Sequence, residues 1–195
     1  MSRLFACWIV AALAVVPGWA EDVAVLWVKL PKEKKAERIV IETFDAEAPQ
    51  TSENFRKLAR KGFYKGTAFH RVFPGTLVQG GDPLSRSKER ANVGTGGPGY
   101  TLQAEIRRKH AAGSVAAARV ADRVNPGRRS NGSQFYIALK AMPDLDGQYT
   151  VFGRVIDGLD VVERISAVPA DSNDNPIQRV VIRSCKLVPR EKLGL

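Results

Sequence analysis

The sequence predicts a mainly β fold, a closed antiparallel barrel. Three observations carry that expectation. The β-rich runs are many and short, turn residues separate them, and only two segments space their apolar residues as helices do. There is no internal repeat and no stretch that reads as an interdomain linker.

Taken in order, Val23 to Leu30 alternates weakly and predicts a strand. Pro31 to Ala36 is a charged turn, and Arg38 to Phe44 is the second strand of a hairpin. Pro49-Gln50-Thr51-Ser52 opens a helix, with Pro suited to its first turn and a Thr or Ser hydroxyl to cap free N–H groups. Phe55, Leu58, Ala59 and Phe63 follow at helical spacing, and Gly62 ends it. Phe69 to Phe73 and Leu77 to Gln79 read as short strands around Pro74-Gly75, and residues 83–99 as a charged, Gly-rich loop. Ser114 to Arg119, Gln134 to Leu139 and Thr150 to Ile156 are further strands. Leu159 to Ile165 is a short helix with Leu159, Val162 and Ile165 on one face. Arg179 to Val188 is the last strand.

A chain of 195 residues can bury a stable core without disulfides or metals. The first twenty residues stand apart. One cation, Arg3, precedes an apolar run from Leu4 to Val16, and Gly18-Trp19-Ala20 offers small residues at the −3 and −1 positions. The run is short for a bilayer span of about 20 residues. It fits a secretory leader, residues 1–20, cleaved after Ala20, with residues 21–195 as a single exported domain, periplasmic or secreted, that has no membrane span once the leader is gone. An uncleaved anchor is the alternative. Cys7 would leave with the leader, and Cys185, in the β-like run VVIRSC, reads as a buried strand residue. The formal charge of +10 is scattered in runs of at most three cations, such as Arg107-Arg108-Lys109, so it reads as a solvated surface and no nucleic-acid partner is expected.

Several motifs have plain structural readings. GTGGPG, Gly94 to Gly99, has the spacing of a dinucleotide loop, but a polar stretch precedes it and Pro98 lacks an N–H, so a flexible surface loop is expected. Asn131-Gly132 reads as a turn with positive φ available. His110 lies in a basic segment and reads as a surface group. The two histidines are forty residues apart, and no Cys/His cluster has metal-ligand spacing. Arg71 is open between a plain reading, a snorkelling or salt-bridged arginine, and a guanidinium held against an apolar surface for use. Strand alternation puts Phe69, Arg71 and Phe73 on one face and His70 and Val72 on the other.

FHRVFPGTLVQGGD, GTGGPGY, NGSQFYI and LDGQYTVFGRV occur in this order from residue 69 to residue 155. In these motifs the chain resembles a cyclophilin-type peptidyl-prolyl cis-trans isomerase, of a bacterial-like, exported kind. The resemblance covers Val25 to Cys185. It implies an eight-stranded antiparallel barrel capped by two α-helices, a monomer, proline-containing polypeptides as partners and no cofactor. It also implies a set of site residues: Arg71 as the catalytic arginine, with Gln79 holding it or the substrate carbonyl; Ala118, Arg119 and Gln134 binding the substrate backbone; Leu77, Tyr136 and Leu145 forming the proline pocket, with Thr76 and Tyr149 nearby; and His70 beside the site.

Departures from the family pattern are expected to matter. Thr76 stands where the family usually has Phe, Leu77 where it has Met, Tyr136 where it has Phe and Ala117 where it has Met. Asp144 stands where eukaryotic members carry the Trp that supports tight cyclosporin binding, so weak inhibition is expected. The leading reading is a proline isomerase that assists folding of exported proteins. A cyclophilin-fold module that binds Pro-containing segments without accelerating isomerisation is the alternative, motivated by Thr76 and Tyr136.

Overall fold

The computed structural model describes residues 22–195, so the expected leader lies outside the described residues. The elements in order are β1 (Asp22–Lys29), β2 (Glu37–Thr43), α1 (Pro49–Arg60), β3 (Ala68–Phe69), β4 (Arg71–Phe73) and β5 (Leu77–Gly80). After them come β6 (Thr101–Leu102), β7 (Ser114–Ala117), β8 (Ser130–Asn131), β9 (Phe135–Ala138), β10 (Val151–Asp157), α2 (Leu159–Ser166) and β11 (Val180–Pro189). A nine-stranded sheet has the order β3-β11-β1-β2-β10-β7-β9-β5-β4, and β6 pairs with β8 in a separate ribbon.

The two ends of the large sheet, β3 and β4, are separated in sequence by His70 alone. Ala68 and Phe69 pair with β11, while Arg71, Val72 and Phe73 pair with β5. One stretch of chain thus closes the sheet on itself. Counted as a single strand, it gives the eight-stranded barrel that the resemblance implies, and closure leaves the large sheet without an open edge.

The break at His70 corrects the expected alternation. Phe69 and Val72 both turn into the barrel core and are buried. Arg71 and Phe73 share the outer face, with the guanidinium 4.7 Å from the Phe73 ring centroid. A strand that changes partner in mid-course cannot hold one strict period of two.

Leu26, Ile39, Ile41, Ile137 and Ile182 fill the barrel from its walls and are fully buried. Such side chains contribute about 1.5–3 kcal/mol each. On α1 the i, i+3, i+4 set Phe55, Leu58 and Ala59 is buried. Phe55 meets Phe135 edge-on, with centroids 5.7 Å apart. α2 buries Val161, Val162 and Ile165. Cys185 is buried as expected, and burial pushes its thiol pKa up to about 12.

The start of α1 differs from expectation. Thr51 and Ser52 lie inside the helix, and no side chain at the N-cap position, Ala48, bonds to it. Glu105 supplies the cap from a distant loop, accepting hydrogen bonds from Gln50 N (3.1 Å), Thr51 N (2.9 Å) and Thr51 Oγ1 (2.7 Å). A carboxylate there also complements the positive end of the helix dipole.

Candidate active site

The pairing register assembles the site. Arg71 of β4 lies opposite Gln79 of β5, Gln79 opposite Tyr136 of β9, and Tyr136 opposite Ala116 of β7. Directly opposed residues share a face, so these side chains form one row across the barrel wall. Leu77, two residues before Gln79, shares that face. Leu77, Ala118, Tyr136, Leu145 and Tyr149 cluster there with Ala116, Val151 and Phe44, apart from the barrel core. The structure thus brings the expected proline-pocket residues together. Tyr149 meets Tyr136 edge-on at 5.7 Å.

Arg71 is half exposed, and its Nε lies 3.5 Å from a carboxylate oxygen of Asp174. Asp174 sits in the loop between α2 and β11 with φ of 60°, and its carbonyl accepts the N–H of Val72 at 2.9 Å. Phe73 and Asp174 are site neighbours that sequence reasoning missed. Phe73 was legible as a same-face neighbour of Arg71, whereas nothing local in sequence connects Asp174 to it.

Gln79 does not hold Arg71 by a side-chain hydrogen bond. Its Nε2 donates to Gln134 Oε1 at 2.9 Å. The Gln134 Nε2 in turn donates to the carbonyls of Gly94 (2.9 Å) and Gly96 (2.8 Å). Carbonyls only accept, so Gln134 must face them with nitrogen and face Gln79 with oxygen. Gln79 is thereby left with its own carbonyl oxygen as the free end. The backbone of Gln134 is also engaged: its N–H donates to Asn131 Oδ1 (2.9 Å), and its carbonyl accepts from Ala118 N (3.0 Å). Gln134 is 3% exposed, which makes it a strut behind Gln79 rather than a free contact.

The loop that holds Gln134 is anchored, not the loose surface loop expected. Asp82 is fully buried, and its carboxylate accepts from Leu84 N (2.8 Å), Gly94 N and Gly96 N (3.3 Å). A Cβ on Gly96 would come within 2.2 Å of Asp82 Oδ1. The glycine spacing that mimics a phosphate loop therefore wraps a carboxylate of the same chain. Asn131-Gly132 likewise uses no positive φ. Gly132 is required because a Cβ would sit 2.5 Å from Pro98 Cγ and from the Tyr100 carbonyl.

The expected backbone contacts divide. The Ala118 N–H bonds to Gln134 O and its carbonyl accepts from Asn131 N at 2.7 Å, so both groups are spent within the protein. The N–H and C=O of Arg119 have no protein partner among the described residues. The Arg119 side chain is 4% exposed. It donates to Gln148 O at 2.9 Å, pairs with Asp122 and lies over the Tyr149 ring, tying two loops together. Beside Gln79 and Gln134 these loops border a groove of about 260 Å³, lined also by Arg119, Val120, Val124 and Arg129. A larger cavity, of about 560 Å³, lies elsewhere, and its Glu42, Asp45 and Glu47 are already paired with arginines.

His70 does not open into this groove. It is 6% exposed, and neither ring nitrogen has a hydrogen-bond partner or solvent access. Burial lowers its pKa, and the nearby Asp82 carboxylate only partly offsets this. Thr76 stays in the turn that joins β4 to β5, its hydroxyl 3.3 Å from the Pro74 carbonyl. His110, expected on the surface, is buried: Nδ1 meets Asp146 Oδ1 at 2.9 Å and Nε2 meets Tyr136 Oη at 2.7 Å. Its segment belongs to no helix or strand, and Arg107 and Arg108 are exposed while His110 is buried.

Among the described residues, no helix is long and apolar enough to cross a membrane. The family model described as cyclophilin type peptidyl-prolyl cis-trans isomerase/CLD matches residues 28–187. The chain is 34% identical over 154 residues to peptidyl-prolyl cis-trans isomerase-like 1 of Gibberella zeae, covering 79% of this chain and 91% of that protein. It is 39% identical over 145 residues to peptidyl-prolyl cis-trans isomerase ppi1 of Schizosaccharomyces pombe, covering 74% and 89%. A crystal structure of a Cryptosporidium parvum cyclophilin type peptidyl-prolyl cis-trans isomerase, in the presence of the dipeptide ala-pro, superposes with a TM-score of 0.72 at 27% identity, covering 85% of this chain and 98% of that one. All three are eukaryotic proteins, so they bear on the family and not on a bacterial-like affiliation. With a family match across nearly all the described residues, relatives above 30% identity and the same barrel, this chain belongs to the cyclophilin-type peptidyl-prolyl cis-trans isomerase family.

Proposed function

We propose that the protein accelerates cis–trans isomerisation of X-Pro bonds in exported polypeptides, acting as a monomer in the periplasm or outside the cell. The observation that carries the site assignment is the row Arg71–Gln79–Tyr136 across three paired strands. It sets a permanent cation beside an acceptor and an apolar, aromatic-walled pocket. The uncatalysed barrier is about 18–20 kcal/mol because amide resonance must be lost. No bond breaks, so what is required is preferential binding of the twisted amide.

In that state the prolyl nitrogen becomes pyramidal and regains a lone pair. Arg71 offers it a donor that cannot be deprotonated. Leu77, Tyr136, Leu145 and Tyr149 hold the proline ring, and the Gln79 carbonyl, left free by the bond to Gln134, is available to the substrate. The free N–H and C=O of Arg119 pair with the substrate backbone. The export part of the proposal rests on the apolar run Leu4–Val16 followed by Gly18-Trp19-Ala20.

A protease-coupled assay on a Pro-containing tetrapeptide tests the activity. Arg71→Ala is expected to lose most of the rate; a rate equal to wild type overturns the assignment. Peptide binding without exchange enhancement between cis and trans NMR peaks would instead favour the binding-module reading. A mature N-terminus at Glu21 is the outcome expected from export, and a retained Met1 on the exported protein overturns cleavage after Ala20.

A further inference from the structure

The floor of the pocket carries a hydrogen-bonded chain that the isomerase reading does not use. Asp146 Oδ1 accepts the backbone N–H of His110 at 2.7 Å and faces its Nδ1 at 2.9 Å. A carboxylate can only accept here, so Nδ1 carries the proton, and in the Nδ1–H tautomer Nε2 is the acceptor. Nε2 lies 2.7 Å from the Tyr136 hydroxyl, which donates to it. The two rings are parallel within 7° at 5.8 Å, and Tyr149 closes on the His110 ring edge-on at 6.5 Å. The His110 side chain is wholly buried, and its contact with Tyr136 lies inside the wall, while Asp146 keeps an edge in solvent.

This arrangement has two consequences. The Tyr136 hydroxyl proton is used inside the wall, so the ring meets a ligand as an apolar face, much as phenylalanine would. The ring is also held at its far end and cannot swing about χ1 to refill or vacate the pocket. We propose that His110, its tautomer set by Asp146, is a positioning residue that fixes Tyr136 as the floor of the proline pocket. The proposal rests on the isomerase reading of the site and adds to it how the pocket keeps its shape with a tyrosine in that place.

The test is a double-mutant cycle on wild type, His110→Leu, Tyr136→Phe and the double variant, with His110→Gln as the conservative replacement. KM and kcat are measured on the Pro-containing tetrapeptide, Arg71→Ala is run alongside, and thermal midpoints confirm folding. His110→Leu is expected to raise KM about tenfold, the scale of one buried hydrogen bond, while changing kcat little. It is expected to add nothing in the Tyr136→Phe background, and His110→Gln is expected to recover part of the loss. If His110→Leu leaves KM unchanged, or multiplies independently with Tyr136→Phe, the positioning role is overturned. Should His110→Leu fail to fold, His110→Gln against Tyr136→Phe completes the same cycle. An unaffected Arg71→Ala would sink the site assignment itself, and that result is distinct from independence of His110 and Tyr136.

Discussion

The Gln79 side chain donates to Gln134 Oε1 at 2.9 Å, and this contact decides which end of the Gln79 amide is left free. The decision is made further back, by the carbonyls of Gly94 and Gly96 and by the buried Asp82 that holds their loop. Gln134→Glu tests this chain of reasoning. A carboxylate keeps the size but would place an acceptor against two carbonyls. The substitution is expected to lower kcat/KM at least tenfold and to lower the thermal midpoint, since a buried mismatch costs about 1–3 kcal/mol and more if charged. A variant with wild-type kcat/KM in the coupled assay would show that the orientation of Gln79 is set otherwise.

Asp174 stands close enough to Arg71 to be mistaken for an essential partner. Both side chains are more than a third exposed and the contact is 3.5 Å long. Pairs of this kind contribute about 0–1 kcal/mol. Asp174→Asn is expected to change kcat/KM less than threefold, whereas Arg71→Lys, which loses the planar fork of donors, is expected to lose most of it. Steady-state comparison of the two separates them; a large loss in Asp174→Asn would make the carboxylate part of the machinery.

How much of this was legible beforehand follows from where each contact is encoded. Barrel and helices were readable because their periodicities are local, and the residues that cluster around Tyr136 because the four motifs are. The double partnership of residues 68–73 was not, because pairing with both β11 and β5 is a property of closure. Glu105 as the cap of α1, Asp82 as the anchor of the glycine loop and Asp146 beneath His110 were missed for one reason. Each is a carboxylate that satisfies backbone N–H groups between 12 and 55 residues away. Sequence windows see the unsatisfied donors but not the distant acceptor. At Ala118 the motif position was legible, and the engagement of its backbone by Gln134 and Asn131 was not.

Thr76 gives the family pattern its clearest local departure, and the neighbouring Phe73 packs against Arg71 instead. An aromatic at 76 would restore apolar cover at the turn. Thr76→Phe is expected to lower Kd for an Ala-Pro peptide severalfold, from roughly 25 cal/mol per Å² of area newly buried against the ligand. Phe73→Ala is expected to raise it. NMR titration of the peptide measures both, and an unchanged affinity in Thr76→Phe would mean that the turn does not reach the bound proline ring.

His70 makes stability depend on pH. Burial lowers its pKa in the folded protein, whereas in the unfolded chain it titrates near the ordinary value of about 6.5. Below that value the unfolded chain takes up a proton that the folded protein resists, so acid favours unfolding. The contribution is fully present above about pH 6.5 and declines as pH falls toward the lowered folded pKa. His70→Gln, which cannot titrate, is expected to flatten the slope of unfolding free energy between about pH 7 and pH 5, even if it lowers stability throughout. Urea midpoints at intervals across that range are the measurement. Parallel curves for the two proteins would show that the imidazole accepts its proton equally well in both states, and would overturn the lowering ascribed to burial.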